Sequence, residues 1–359
     1  MPVRKKEIVR VNRCGPIRHH PGKCRLWRNP GDKERGTRAM RSEVQTFEVR
    51  REPGKVTAWL RLARLQFYPG PLMAYSVGTA SAWHTKGLFD PLVFVLGYAC
   101  LFVVELTAVL TNEYYDYEGD NINENAGLFN GGSRMIADGF VSRTAVKRAI
   151  LPVVLLLPIL GYMLAGAADR SPAWSIALLL LAGAAMALGY TAPPARLSYR
   201  GMGEPTVGLS HSFYMVLCGH IFQGGAWTDP MPWLLSIPLF LATLAAITLA
   251  HVPDRAADSA VSKKTIASGP GVRAAGLTAM AAVAAASASG VALFHLGYMP
   301  GTAGALIYMT VPHGAVLLVA ISRMMRRKEE IRELDTIMGM MLSFIIWFAA
   351  IPVLSILLR

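Results

Sequence analysis

The chain is short of charge. Only 16% of its 359 residues are Asp, Glu, Lys or Arg, while 53% are hydrophobic. A water-soluble domain of this size needs far more polar surface, so that class is excluded. Acidic residues are the scarcer sign, 23 against 36 basic, giving a formal net charge of +13. Cysteine is scarce as well. Four scattered residues build no disulfide framework, and Cys100 and Cys218 fall inside apolar runs, where they read as packing residues. Segments that alternate apolar and polar residues are missing, which excludes a membrane β-barrel. No signal peptide stands ahead of the first apolar run.

What the chain does have is apolar residues in blocks. Nine stretches are long enough to cross a bilayer: 59–83, 91–115, 146–167, 172–191, 205–224, 232–251, 274–295, 301–322 and 337–358. They predict an all-α integral membrane protein, a nine-transmembrane-helix bundle with cytoplasmic cap loops. Of the 36 Lys and Arg, only Lys86, Arg170 and Arg359 fall on one side of that arrangement. The positive-inside rule then puts the N-terminus and the basic connections in the cytoplasm and the C-terminus outside. The positive charge is thus a matter of topology and of contact with anionic lipid, and no nucleic acid is expected as a partner.

Residues 1–55 hold 16 Lys or Arg and almost no apolar periodicity, which predicts a basic, disordered cytoplasmic tail ahead of a membrane domain over 56–359. Cys14, His19, His20 and Cys24 lie within eleven residues of one another, but their spacing matches no common zinc module. At the start of the first span, Arg61 and Arg64 have two readings: snorkelling to headgroups, or pointing inward at an anion. Pro69 and Pro71 predict a kink just after them.

Two acidic motifs carry the chemistry. The second span ends in Asn112, Asp116 and Asp120, spaced four apart, so that a helix sets their oxygens roughly on one face. The sixth span ends in Asp254 and Asp258, again four apart and again at the cytoplasmic end. Carboxylates at the end of a membrane helix are costly without a partner, and a hard cation is a natural one. Together the two motifs predict a Mg2+ site with Asn112, Asp116, Asp120, Asp254 and Asp258 as ligands. Mg2+ prefers oxygen donors and commonly bridges carboxylates to substrate phosphates. The chemistry implied is ionisation of an allylic diphosphate beside an apolar cavity, with metal and basic groups neutralising the leaving group. Gly131–Gly132–Ser133–Arg134 adds backbone amides and a guanidinium, a possible phosphate cradle as part of a cytoplasmic cap. Glu204 stands at the start of the fifth span, where a carboxylate suits the helix dipole.

The patterns Asn112-x3-Asp116-x3-Asp120 and Asp254-x3-Asp258 resemble those of the UbiA superfamily of intramembrane prenyltransferases, over about residues 56–358. Tyr190 to Glu204 and Gly131 to Arg134 look more like the 1,4-dihydroxy-2-naphthoate (menaquinone-pathway) branch than the 4-hydroxybenzoate branch. The resemblance implies a polyprenyl diphosphate donor, an aromatic acceptor, bound Mg2+, and no obligate protein partner. It implies catalytic roles for Asp116 and Asp254, and diphosphate binding by Arg64, Arg134, Lys263 and Lys264. Two positions depart from the family pattern: Ser262 stands where Gly is usual, and His251 where Asn is usual. His251 has three open roles: orienting an acceptor hydroxyl, taking a proton, or capping the helix end. The alternatives are a membrane terpene cyclase on the same scaffold, which needs no acceptor, and a transporter. Transporters place acids near the midplane of inverted repeats, and neither feature is evident in this chain.

Overall fold

The computed structural model describes residues 53–87, 89–127, 129–326 and 331–359, without the side chains of 331–333. The Cys14–Cys24 cluster and nearly all of the basic tail lie outside the described residues. Among these residues the fold is all helical, with only an isolated bridge between Arg200 and Lys264. Among the described residues, six helices are long and apolar enough to cross a membrane. These include α3 (Pro91–Tyr115), α5 (Arg143–Ala167), α9 (Pro230–Ala260) and α10 (Val272–His295). The other two candidate spans are Gly301–Arg326, which ends in α12 (Thr310–Arg326), and Leu334–Leu357, within α13 (Ile331–Leu357).

The first apolar stretch is not one helix. It divides into α1 (Lys55–Leu62) and α2 (Pro69–Lys86), with Arg64 between them at φ 54°. The interruption expected at the two prolines falls just ahead of them. Pro69 is the first residue of α2, where its missing N–H has no carbonyl to serve. The helix starts follow local chemistry elsewhere. Asp90 caps α3 by accepting from the N–H groups of Leu92 and Val93, with Pro91 in the first turn. Ser142 caps α5 through the N–H of Ala145.

The 203–222 stretch is composite: α7 (Gly203–Leu209), a π-turn over Ser210–Tyr214, and α8 (Met215–Phe222). The α4 helix (Tyr117–Ile122) and α6 (Ala173–Gly189) are shorter. Small residues set the closest approach. A methyl group at Gly78 of α2 would meet the Val216 carbonyl, and one at Gly219 of α8 would meet the Tyr75 carbonyl. Such small-residue contacts are how helices pack where lipid leaves no hydrophobic drive between them.

Burial separates centre from rim. The best apolar window of α9 is 61% buried, whereas that of α5, at a mean hydropathy of 2.2, is only 11% buried. An apolar helix left that bare is stable only in lipid. Leu155, Ile159 and Tyr162 are its exposed face. α9 is therefore the axis on which the second acidic motif is carried.

Candidate active site

α3 stops at Tyr115, Asp116 is its C-cap, and α4 begins one residue later. The four-residue spacing survives the joint: the Asp116 N–H donates to the Asn112 carbonyl at 2.8 Å, and the Asp120 N–H to the Asp116 carbonyl at 2.9 Å. α9 runs on to Ala260, so Asp254 and Asp258 sit on its last two turns. Asp116, Asp120, Asp254 and Asp258 all line one small cleft, together with Asn123, Tyr199 and Lys263.

Lys263 joins the two motifs. Its Nζ lies 2.8 Å from Asp116 Oδ2 and 3.7 Å from Asp258 Oδ1. Burial alone pulls an ammonium toward neutrality, but Asp116 and Asp258 outweigh it and hold the Lys263 pKa well above its usual value. Asp116 also accepts from Tyr199 Oη at 2.8 Å and from the Asn112 amide at 2.9 Å. Burial and the Asp116 charge push the Tyr199 phenol up to about 12, so it stays a donor. The Arg196 guanidinium lies over the Tyr199 ring, 3.8 Å from its centroid.

Asp254 is held from the other side. Its Oδ1 accepts from the Asn123 and Asn130 amides at 2.7 and 3.0 Å, and its Oδ2 from the Gly131 N–H at 3.2 Å. The loop after α4 is thus folded onto the second motif. Gly132, at φ 69°, packs so closely on the Asp120 carboxylate that a Cβ there would overlap it. Arg134 is engaged inside the same loop. It donates to the carbonyls of Asp120 and Asn123 at 2.6 and 3.1 Å and pairs with Asp138 at 2.9 Å.

Asp120 differs from its neighbours. Burial, followed by the nearby Glu113 and Asp116, pushes its carboxyl up to about 8, with Lys263 and Arg64 compensating only in part. Asp120 therefore holds a proton that a cation could replace, and the cleft offers hard oxygen donors of the kind Mg2+ prefers. The residues fit that ion in chemistry and charge. They are not gathered around one point: among the described residues no three acidic, His or Cys side chains could share an ion. The convergence expected from spacing is thus a shared cleft in which Lys263, Tyr199 and amide donors hold the carboxylates.

The remaining sequence-level candidates fall around this cleft. Arg64 acts on Asp120 and Glu113 through space and lies over Phe67, 4.9 Å from the ring centroid. Lys264 is exposed, and its backbone N–H donates to the Tyr199 carbonyl at 3.4 Å. Ser262 has φ 59°, in the left-handed region that glycine tolerates best, which accounts physically for Gly being usual there. His251 is buried, and its Nδ1 lies 3.3 Å from Glu204 Oε1. The helix-capping role is corrected, because α9 continues nine residues beyond it. Glu204 also accepts from the Ile266 N–H at 2.8 Å, so it ties α7 to α9 and to the 261–271 loop instead of only capping its own helix.

Several residues of the site were not singled out from the sequence. Glu113 is buried and accepts both the N–H and Oγ–H of Ser133. Tyr199, Asn123 and Asn130 orient the aspartates. The clustering of Asn121, Asn123, Asn125 and Asn130 beside the first motif was the available signal.

The fold and cleft define a helical membrane protein with two opposed acidic motifs at one end of the bundle. The chain belongs to the UbiA prenyltransferase family, whose sequence model matches residues 72–354. It is 28% identical over 176 residues to the 1,4-dihydroxy-2-naphthoate octaprenyltransferase of Escherichia coli (strain K12), an alignment covering 48% of this chain and 53% of that protein. The chain thus spans about half the length of that relative. It is 25% identical over 231 residues to the protein of the same name from Bacillus subtilis (strain 168), covering 63% and 70% of the two chains. A UbiA homologue from Archaeoglobus fulgidus, solved with DMAPP and Mg2+, shares the fold at a TM-score of 0.54 and 14% identity, over 82% of this chain and 99% of that one.

Proposed function

We propose that this protein is a Mg2+-dependent prenyltransferase that moves a polyprenyl group from its diphosphate to an aromatic acceptor of the dihydroxynaphthoate kind. The observation that carries this is the cleft in which α3–α4 and α9 each contribute an acidic motif with Lys263 between them. Family membership and the names of the two bacterial relatives support it. The six long helices, with α2, α6 and the α7–α8 composite, make nine crossings in this reading, with the N-terminus and the cleft at the cytoplasmic face.

Asp116, Asp120, Asp254 and Asp258, with Asn112 behind Asp116, would hold the metal. When bound, Mg2+ neutralises the diphosphate as the allylic C–O bond breaks. Lys263, Lys264 and Arg64 supply further positive charge on the leaving group's path. Arg134 has another task, shaping the loop that supports Asp254. The acceptor's ring carbon donates its electron pair to the prenyl carbon, and the proton on that ring carbon leaves to a base. His251, oriented by Glu204, is the buried imidazole placed beside the second motif. The protein in detergent should release diphosphate from a prenyl diphosphate only when Mg2+ and an aromatic acceptor are both present. Release with a cyclic hydrocarbon as the product and no acceptor would establish the cyclase reading instead.

A second outcome follows from Asp120. Its carboxyl keeps a proton up to about pH 8 in the metal-free protein. Mg2+ binding through Asp120 must displace that proton. Affinity should therefore fall by up to about tenfold per unit as pH drops below 8, and level off above it. The metal-free fold shows the opposite trend: a raised carboxyl pKa lends stability at low pH that is lost as pH rises toward 8. Calorimetric titration with Mg2+ at pH 6, 7, 8 and 9 checks this, and Asp120→Asn should flatten the profile. A pH-independent affinity would remove Asp120 from the ligand set.

A further inference from the structure

Two stripes of side chains lead down from the cleft into the bundle. On α3, Glu105 lies seven residues before Asn112 and eleven before Asp116, close to two and three whole turns, so the three share a face. On the α7–α8 composite, His211 lies seven residues after Glu204, again close to two turns. The two stripes meet: His211 Nε2 is 3.2 Å from Glu105 Oε1. This places a carboxylate and an imidazole roughly 16 Å below Asp116, at 1.5 Å per residue, inside an otherwise apolar span. Ionisable side chains at that depth mark function more often than packing. His211 also sits in the π-turn, a local departure from α-helix that recurs at functional sites.

The pair has unfilled hydrogen-bonding capacity. His211 Nδ1 faces the Val207 carbonyl at 3.1 Å and the Ser210 hydroxyl at 2.9 Å. Glu105 Oε1 is engaged by His211, while Oε2 accepts no hydrogen bond among the described residues. On the same side of α3 lies Tyr68, 5% exposed, with a hydroxyl that has no partner. Its ring packs at a tilt on Phe102, 4.7 Å between ring centroids, and Glu105 follows Phe102 by three residues on α3. An orphaned buried hydroxyl and a half-used carboxylate on one side of α3 are a donor and an acceptor prepared for a group that carries both. The aromatic rings of Phe102 and Tyr98 give the spot flat apolar walls, and Tyr98 Oη is itself held by the Tyr68 carbonyl at 3.2 Å.

We propose that Glu105, His211 and Tyr68 form a recognition site for a ring hydroxyl of the aromatic acceptor. The hydroxyl would donate to Glu105 Oε2 and accept from Tyr68 Oη, with His211 orienting the Glu105 carboxyl through Oε1. The depth suits this role: the diphosphate, the reacting prenyl carbon and the acceptor ring occupy the length between Asp116 and Glu105, and the acceptor's far edge reaches the pair. These residues touch the part of the acceptor remote from the reacting carbon, so they set which acceptor binds and not how the diphosphate leaves. The inference rests on the proposed transfer to an aromatic acceptor.

The test compares wild type with Tyr68→Phe, Glu105→Gln and Glu105→Leu, using 1,4-dihydroxy-2-naphthoate and 2-naphthoate as probes. Equilibrium binding to the detergent-purified protein should weaken about tenfold for the dihydroxy ligand in Tyr68→Phe and more in Glu105→Leu, with 2-naphthoate unaffected. Tyr68→Phe gives the sharpest outcome. Its hydroxyl has no partner to lose, so the thermal midpoint of the free protein should stay level or rise while dihydroxynaphthoate binding falls. Glu105→Gln keeps the shape and carries the test if Glu105→Leu fails to fold. Equal affinities for both probes across the variants, or a loss that falls equally on prenyl diphosphate binding, would overturn the site. Selective loss of dihydroxynaphthoate binding, in a wild type that releases no diphosphate with any acceptor, would keep the site and overturn the transferase reading.

Discussion

Asp116→Ala is expected to abolish prenyl transfer, with kcat down by about 10³-fold or more, the scale on which removal of one preorganised electrostatic group acts. The loss has two sources that can be separated. One is the missing oxygen ligand. The other is structural: Asp116 accepts from Lys263, Tyr199 and Asn112 at once, and its removal leaves Lys263 buried with only Asp258, 3.7 Å away. Breaking a buried pair by deleting one partner costs about 3–5 kcal/mol. Asp116→Asn keeps the side-chain volume and one acceptor oxygen, so it should recover much of the thermal stability while leaving turnover at the floor. Asp254→Ala should fall equally far in rate for a different structural reason. Its carboxylate gathers Asn123, Asn130 and the Gly131 N–H, so the loop after α4 should loosen and become susceptible to proteolysis. Near-normal turnover in either alanine variant would dismiss the two-motif site.

Lys263→Met carries the next largest expected effect, a drop of about 10²-fold in kcat/KM for prenyl diphosphate. Methionine fills the space of the lysine stem but removes the one ammonium between the two motifs. Lys263→Arg should recover only part of the rate, because a planar fork does not reproduce a compact point charge at a two-carboxylate junction. The stabilising effect of Mg2+ tells the same story. Without the internal cation, Asp116 and Asp258 face each other uncompensated, so Mg2+ should raise the melting temperature of Lys263→Met more than that of wild type. Full activity in Lys263→Met, or a melting response to Mg2+ no larger than in wild type, would assign Lys263 to topology alone.

The parts of the site that were legible in the sequence are those that depend on separation along one helix. Asn112, Asp116 and Asp120 stay aligned through the α3–α4 joint because the backbone hydrogen bonds continue across it. Asp254 and Asp258 stay aligned because α9 continues past both. The position of the first break was less legible. The prolines marked the interruption to within a few residues, but not the left-handed turn at Arg64 that makes it, a conformation more common for glycine than arginine. Arg134 was legible as a cation beside a Gly-rich loop, but its direction was not, and its guanidinium turns back onto the carbonyls of its own loop.

What the sequence alone determined is the solvent and the chemistry: apolar blocks that only a bilayer can surround, and paired aspartates that only a cation or a donor can neutralise. Those follow from composition and helical period, which are local. The tertiary structure decided everything that rests on contact between distant segments. It put Lys263 between the motifs, Tyr199 on Asp116, the Asn123–Gly131 loop on Asp254, Glu204 on His251, and Glu105 on His211. Each of those pairs joins residues that no helical repeat relates. They meet because buried charges and amides must find partners when the bundle closes, and the packing of α3, α7 and α9 decides which partners are within reach.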